Sequence, residues 1–295
     1  MSRIQLNKFM YFEPDTVRET TEVLDKYGDD AKVIAGGIDL LPKMRTGSIK
    51  AGCLVSVAGI PDLSYFRYDE KGGLEFGAMT TLQSLDTSEI LKQHYPALQQ
   101  AIHQITSVQS KYMGTAVGNL CVATPGSDVA PALMAYGAVL LIAGPSGKRR
   151  EEVCAFYPAK NKTTLGRGEF VTGVHVSAPA KGTGAAFINR VRTHADIAKI
   201  TLTVALTVDG DICREARIAM GAVAPVPVRA EKAEGLLKGR AFSEGLAYEA
   251  AAAVVCSMDP STGLRSTKEY RTEVTPVLVE RALHKAFETA RRAEK

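Results

Sequence analysis

Apolar residues recur in two rhythms along this chain. Up to residue 176, short apolar runs that read as buried strands alternate with segments whose apolar residues return every three or four positions. KFMYF, residues 8–12, reads as a strand. Asp15 is a candidate N-cap for VRETTEVLDKYG, whose Val17, Val23, Leu24 and Tyr27 fall on one helical face before Gly28 stops the helix. KVIAGG reads as a buried strand running into a double glycine, LLPKMRTG as a short helix closed by Gly47, and CLVSV as the next strand. Residues 1–57 thus form a βαβ-like unit. Residues 58–176 open with a turn through Gly59 and Pro61 and the strand GLEFGA. Leu82, Leu85, Ile90, Leu91, Ala97, Leu98, Ala101, Ile102 and Ile105 then predict a helical flank. The small-residue stretch GTAVGNLCVATPGSD, residues 114–128, leads into a short apolar helix, VAPALMAYGA, with Pro131 near its first turn and Gly137 as its stop. The strand VLLIAG, a basic turn SGKRR, a less regular segment and the strand EFVTGVHV follow.

Residues 177–184, SAPAKGTG, are dominated by Pro, Gly and Ala and mark the best boundary. Beyond it the rhythm changes to period two. ITLTVALTVDG and CREARIAMGAVA alternate like antiparallel strands around the turn pair Asp209-Gly210. Three helix-like stretches follow, and in the last of them Tyr270, Val274, Leu278 and Ala282 share a face with Leu283 and Phe287 beside it. The expected fold is α+β: two α/β subdomains, 1–57 and 58–176, then a C-terminal domain of antiparallel sheet and helices over 185–295. No fixed-period repeat or low-complexity tract is visible.

Composition narrows the function classes. With 295 residues, 45% hydrophobic and 23% charged, the chain is globular and long enough for two or three domains. Its net charge of +4 is spread out, with no basic cluster beyond Lys148-Arg149-Arg150 and Arg291-Arg292, which argues against a nucleic-acid face. The first ten residues lack the apolar run of a secretory leader, and no window approaches the ~18 apolar residues of a membrane span, so a cytoplasmic protein is expected. The five cysteines are far apart and include no C-x-x-C pair, and the five histidines lack metal-ligand spacing. No resident metal is expected, and redox chemistry on this chain would have to borrow a non-metal cofactor.

Two glycine-bearing stretches carry the candidate chemistry. In VIAGGIDLLPKM, residues 33–44, a strand ends in adjacent glycines and a helix begins; such a turn can present backbone N–H groups to a phosphate, or can be a tight structural turn. It is not G-x-G-x-x-G, so a nicotinamide Rossmann site is disfavoured. The second stretch, with Gly114, Thr115, Gly118, Asn119 and Asp128, is equally weak alone, since Asn119 and Asp128 also suit turn and helix caps. Together they could clasp a long ligand from both ends. In INRVRTHADIAKI, residues 188–200, Arg190, Arg192, His194 and Lys199 surround Asp196; this is either a solvated charged face or an electropositive lip. No constellation for nucleophilic catalysis is present, and no catalytic side chain is assigned.

These motifs carry a resemblance. AGGIDLLPKMRTG resembles the AGGTDLL-type flavin motif, and GTAVGNLCVATPGSDVAPALMAYGA the TIGGN-x-x-x-x-x-P-x-x-D-x-x-P-x-L stretch, of the FAD-binding medium subunits of the molybdenum hydroxylase (xanthine dehydrogenase and carbon monoxide dehydrogenase) family. GLEFGAMTTL, RVRTHADIAKI and RIAMGAVAPVPVRA resemble further family segments in the same order. The resemblance implies a two-subdomain PCMH-type FAD-binding module followed by the medium-subunit type of C-terminal domain. It implies FAD contacts from Val33, Ile34, Ala35, Gly36, Gly37, Ile38, Asp39 and Leu40, from Ile105, and from Thr115, Gly118, Asn119, Ser127 and Asp128. Phe170 and Val171 are expected at one edge of the cofactor, and Arg192 and Asp196 at its isoalloxazine side. Ile38 stands where the family usually has Thr, Ser or His, so contacts there are expected from the backbone alone.

The resemblance also implies a division of labour. A small iron–sulfur subunit would deliver electrons, a large molybdopterin-binding subunit would hydroxylate the substrate, and this chain would pass the electrons to NAD or another external acceptor, in a dimer of heterotrimers. The alternatives are a self-sufficient flavin oxidoreductase of the same fold and a flavin-free scaffolding subunit.

Overall fold

The computed structural model describes residues 6–105, 107–193 and 196–294. It contains three sheets. The first is built from β1 (Met10–Phe12), α1 (Val17–Tyr27), β2 (Ala31–Ile34), α2 (Leu40–Arg45) and β3 (Cys53–Ser56). Its strands run parallel in the order β1-β3-β2. The central β3 is buried along its whole length, as its uninterrupted apolar character requires. The N-cap of α1 is Thr16 rather than Asp15: Glu19 N–H donates to Thr16 Oγ1 (3.1 Å), while Glu19 Oε2 accepts from the Asp15 N–H (3.0 Å). The pair resembles a capping box shifted by one residue, since Glu19 reaches the N–H before the cap, and the T-x-x-E spacing carries it better than an aspartate one residue early.

The second sheet comprises β4 (Phe66–Asp69), β5 (Gly73–Gly77), β6 (Val139–Gly144), β7 (Gly147–Glu152) and β8 (Phe170–Val176), antiparallel throughout in the order β4-β5-β8-β6-β7. Between β5 and β6 run α3 (Leu82–Asp86), α4 (Glu89–His94), α5 (Pro96–His103), α6 (Val108–Met113), α7 (Ala116–Cys121) and α8 (Val129–Ala135). The expected flank covers α3 to α5. The edge strands β4 and β7 are additions to the expected elements; both are polar and largely exposed, as edges that must not recruit another chain tend to be. α6 and α7 are also additions. α6 buries no apolar residue and α7 only Ala116, Val117 and Leu120, and what starts both is a hydroxyl cap: Ser107 Oγ accepts from Ser110 N–H (3.2 Å) and Thr115 Oγ1 from Gly118 N–H (2.9 Å).

The third sheet joins β9 (Thr183–Arg190), β10 (Ile200–Asp209), β11 (Ile212–Gly221) and β12 (Val228–Arg229), antiparallel in the order β12-β11-β10-β9. The expected hairpin at Asp209-Gly210 joins β10 to β11. β9 begins inside the Gly/Ala stretch that reads as a linker. α9 (Glu231–Leu237), α10 (Glu244–Ala253) and α11 (Lys268–Glu294) complete this part. Ala282, Ala286 and Ala290 are fully buried along α11, and a Cβ at Gly184 of β9 would stand 2.3 Å from the Ala286 carbonyl oxygen. Small residues on both sides let helix and sheet approach closely. One apolar core is shared by the first two sheets and a second lies under the third.

Candidate cofactor cleft

β2 ends at Ile34, and the chain leaves the carboxyl edge of the parallel sheet through Ala35, Gly36 and Gly37, where ligands of α/β sheets are usually received. A cleft of about 710 Å³ opens there, inside the roughly 300–1,000 Å³ typical of cofactor sites. Val33, Ile34, Ala35, Gly36, Gly37, Ile38, Asp39 and Leu40 line one wall. Gly37 has φ +68°, open to glycine at no steric cost. Leu41 N–H donates to Gly37 O (3.1 Å), so the helical turn begins at Gly37, and a helix start leaves its first N–H groups without intrahelical acceptors.

Gly36 decides the architecture. A Cβ at this position would lie 1.7 Å from the Met113 carbonyl oxygen. The end of α6, one residue before the second glycine-bearing stretch, is therefore pressed against the first stretch, backbone on backbone. The facing wall follows at once: Thr115, Gly118, Asn119 and Ser127 all line the cleft, with Ile105 beside them. This wall is fixed from behind, since Leu82 N–H donates to Gly114 O (2.9 Å) and Thr81 pairs with Thr115 in an isolated bridge. Gly118 sits in the first turn of α7, and a Cβ there would meet only Thr115 Oγ1, at 3.0 Å. Asn119 Oδ1 accepts from Ser127 Oγ (2.6 Å), and Ser127 Oγ in turn accepts from Ala130 N–H (3.1 Å), which caps α8.

Compared with known proteins, residues 7–179 match the family described as the FAD binding domain in molybdopterin dehydrogenase, and residues 185–286 match the CO dehydrogenase flavoprotein C-terminal domain. The chain belongs to this family of FAD-binding subunits. The carbon monoxide dehydrogenase medium chain of Afipia carboxidovorans is 32% identical, covering 94% of this chain and 96% of that one. The xanthine dehydrogenase FAD-binding subunit of Escherichia coli O157:H7 is 26% identical over 88% and 90% of the two chains. Among solved structures, a carbon monoxide dehydrogenase from Hydrogenophaga pseudoflava that lacks the Mo-pyranopterin moiety superposes with a TM-score of 0.93 at 32% identity, covering 97% and 99% of the two chains.

The third wall of the FAD-binding subunit's cleft was only partly legible in its sequence. Phe170 and Val171 line it, joined by Asn161, Thr163, Leu165 and the run 166–169. This wall is held by charge. Arg149 grips Glu169 with Nε and Nη2 (2.7 and 2.8 Å) and Glu151 with Nη1 (2.6 Å), and Gly166 N–H donates to Glu169 Oε2 (2.7 Å). Arg149 in particular holds the Glu169 carboxyl below the usual range. Arg167 reaches across to Asp25 at the end of α1, donating to its carbonyl at 2.8 Å. Each of these residues looks like ordinary surface charge, and only the fold brings them together.

Lys43, also on the cleft, pairs with Asp39 at 2.6 Å, which leaves the Asp39 carboxylate neutralised within its own helical turn. Cys121 lines the cleft too, but burial pushes its thiol up to about 12, so it is a neutral packing group and not a nucleophile. Asp128, Arg192 and Asp196 are outside the lining residues. Asn189 Nδ2 donates to Asp128 Oδ1 (3.0 Å) from β9, and burial raises the Asp128 carboxyl to about 6. Arg192 and Asp196 pair with each other beside the cleft mouth, and His194 lies outside the described residues. Among the described residues, no group of three or more His, Cys, Asp or Glu is placed to hold a metal ion, and no helix is long and apolar enough to cross a membrane.

The loop between α7 and α8 is unusual in its backbone. Ala123, Asn161 and Ala222 are the non-glycine residues with positive φ among those described, at 52°, 58° and 62°. All three attach to this loop: Asn161 N–H donates to Ala123 O (3.0 Å) and Ala222 N–H to Pro125 O (2.6 Å). Such conformations persist only where the surroundings impose them, and here they clamp the cleft loop to the segment at 161 and to the end of β11.

Proposed function

We propose that this chain is the electron-transfer subunit of a multi-subunit molybdenum hydroxylase, with FAD held in the cleft between its two glycine-bearing stretches. The apposition of Gly36 and Met113 carries the reading, because it turns two weak motifs into facing walls of one cavity. The residues present fit the cofactor. Gly118, where a Cβ would meet only the Thr115 hydroxyl, leaves room for a ligand to approach the backbone, and the start of α2 presents N–H groups of the kind that receive a pyrophosphate. Residues 33–40 would hold the pyrophosphate and ribose, Thr115, Gly118, Asn119 and Ser127 the opposite side, and Ile105, Phe170 and Val171 the apolar edges. Asp128 would act from behind this wall, and Arg192 and Asp196 from the mouth. Bound FAD would supply the redox chemistry that no side chain of the cleft can provide.

The division of the strands into three sheets supports the proposed units 1–57, 58–176 and 185–295. The relatives named as a medium chain of carbon monoxide dehydrogenase and an FAD-binding subunit of xanthine dehydrogenase support an assembly of several chains; the proposed partners are an iron–sulfur small subunit and a molybdopterin-binding large subunit, and the proposed assembly is a dimer of heterotrimers in the cytoplasm. Within it the chain would take electrons from the iron–sulfur subunit and pass them to NAD or another acceptor. The test is isolation from the native host. A chain carrying about one FAD and co-purifying with both partners is expected; a colourless chain purified alone would contradict the reading.

A further inference from the structure

α6 is attached to the protein by a charge. Ser110 lines the cleft and the Met113 carbonyl rests against Gly36, so the helix closes one side of the site. Yet its apolar residues Val108, Tyr112 and Met113 are each more than half exposed, and the residue it buries is Lys111. An amphipathic helix ordinarily does the reverse.

The Lys111 ammonium donates to the Asp86 Oδ2 at the end of α3, and both side chains are 7% exposed. The other carboxylate oxygen accepts from Gln99 Nε2 (3.1 Å) and lies 3.0 Å from His103 Nδ1, both on α5. Burial works against the charged form of Asp86, and the bonds from Lys111 and His103 outweigh it, which keeps the carboxyl below its ordinary value. α3 is thereby a short bar fixed at both ends to the second glycine-bearing stretch and its approach. At its start, Leu82 N–H donates to Gly114 O (2.9 Å) and Thr81 bridges to Thr115. At its end, Asp86 holds Lys111. Gly114 N–H donates to Ser110 O (2.7 Å) and closes the turn between these two points.

Stability alone does not call for a lysine here. Desolvating two charges offsets most of their attraction, and an apolar pair of similar volume often does as well or better. The best-attested use of a buried charge pair is to fix one register. Register is what the end of α6 requires, because the Met113 carbonyl meets Gly36 with no room for a methyl group.

We propose that Lys111 is a positioning residue of the cofactor cleft: its ion pair with Asp86 fixes α6 in the register that sets the spacing of the two glycine-bearing walls, and with it the affinity for FAD. The proposal rests on the FAD-subunit reading above. Lys111 is outside the lining residues and acts through Ser110, Met113 and Gly114.

The test titrates FAD into the full flavin-free chain, followed by flavin fluorescence, and measures the melting temperature without FAD alongside. The double variant Asp86→Asn, Lys111→Met removes both charges, while the amide oxygen introduced at position 86 keeps an acceptor for Gln99 and His103. It should melt within about 3 °C of the wild type and bind FAD at least about tenfold more weakly. Lys111→Arg, which keeps the charge, should retain the affinity within about threefold. At saturating FAD, the visible circular dichroism of the bound flavin should change in the double variant and not in Lys111→Arg. An unchanged affinity in the double variant, or an affinity that falls only in step with the melting temperature, overturns the proposal. If the double variant does not fold, Lys111→Gln, neutral but still able to donate to Asp86, takes its place under the same criteria. A wild-type chain that binds no FAD would sink the cleft reading instead. Amide exchange at Gly114 then decides the role of the pair: at least about tenfold faster in the variant supports it, and an unchanged rate overturns it.

Discussion

The first and third walls of the cleft are built by different means. Residues 33–40 form a wall from sequence-local geometry: a strand end, a glycine with positive φ and a helix start, fitted against α6 with no space for one extra methyl group at Gly36. Residues 161–171 form a wall from distant charge, in which Arg149 and Glu151 come from β7 and Glu169 from the stretch before β8, and Arg167 reaches back to α1. A wall of the first kind tolerates no change of shape but little depends on solution conditions. A wall of the second kind tolerates change of shape but depends on ionisation.

The contrast can be broken at either end. Gly36→Ala should have the largest effect, since the added carbon cannot coexist with the Met113 carbonyl and the two stretches must part. A destabilisation of about 3 kcal/mol or more is expected from denaturant unfolding, with loss of FAD. Glu169→Gln should cost less, about 1–2 kcal/mol, because Arg149 keeps Glu151 and the pair is partly exposed. Since the Glu169 carboxyl lies below its ordinary value, its contribution is present above the unfolded-state pKa and is lost as the pH falls through the folded one. Unfolding curves in acid should therefore converge for the wild type and Glu169→Gln while remaining apart at neutral pH, and curves that stay parallel would remove charge as what holds the third wall.

Asp128 sharpens the comparison with the opposite sign. Its carboxyl is raised to about 6, so the folded chain favours the protonated form. The stability associated with it is full at acid pH, below about 4, and is lost as the pH rises through about 6. Asp128→Asn should remove that slope and stabilise the chain by about 1 kcal/mol at neutral pH, read from melting temperatures at pH 4 and 7.5. A slope that survives the substitution would mean that another group titrates there.

The same contrast explains what the sequence could tell. The first stretch, the βαβ unit around it, the helices from Leu82 onward and the hairpin at Asp209-Gly210 follow local rules of periodicity, capping and turn chemistry, and each stands where those rules place it. α6 and α7 were hidden because small and polar residues start helices through caps that carry no periodic signal. β7 was hidden because an edge strand is free to be all charge. The third wall could not be read because nothing near Glu169 in sequence points to Arg149. Asp128 looks like a clasp residue by its spacing, and the fold directs it to Asn189.

The central claim is that the two glycine-bearing stretches are facing walls of one FAD site, and titration of FAD into the flavin-free chain tests it most directly when wild type is compared with Gly118→Leu. Apart from the Thr115 hydroxyl a Cβ at this position meets nothing within 4 Å, and leucine favours the helix of α7 more than glycine does, so folding should be preserved. One FAD per wild-type chain is expected, with affinity at least about a hundredfold lower in the variant, roughly 2.7 kcal/mol, at a nearly unchanged melting temperature. Equal affinity in the two proteins would contradict the account.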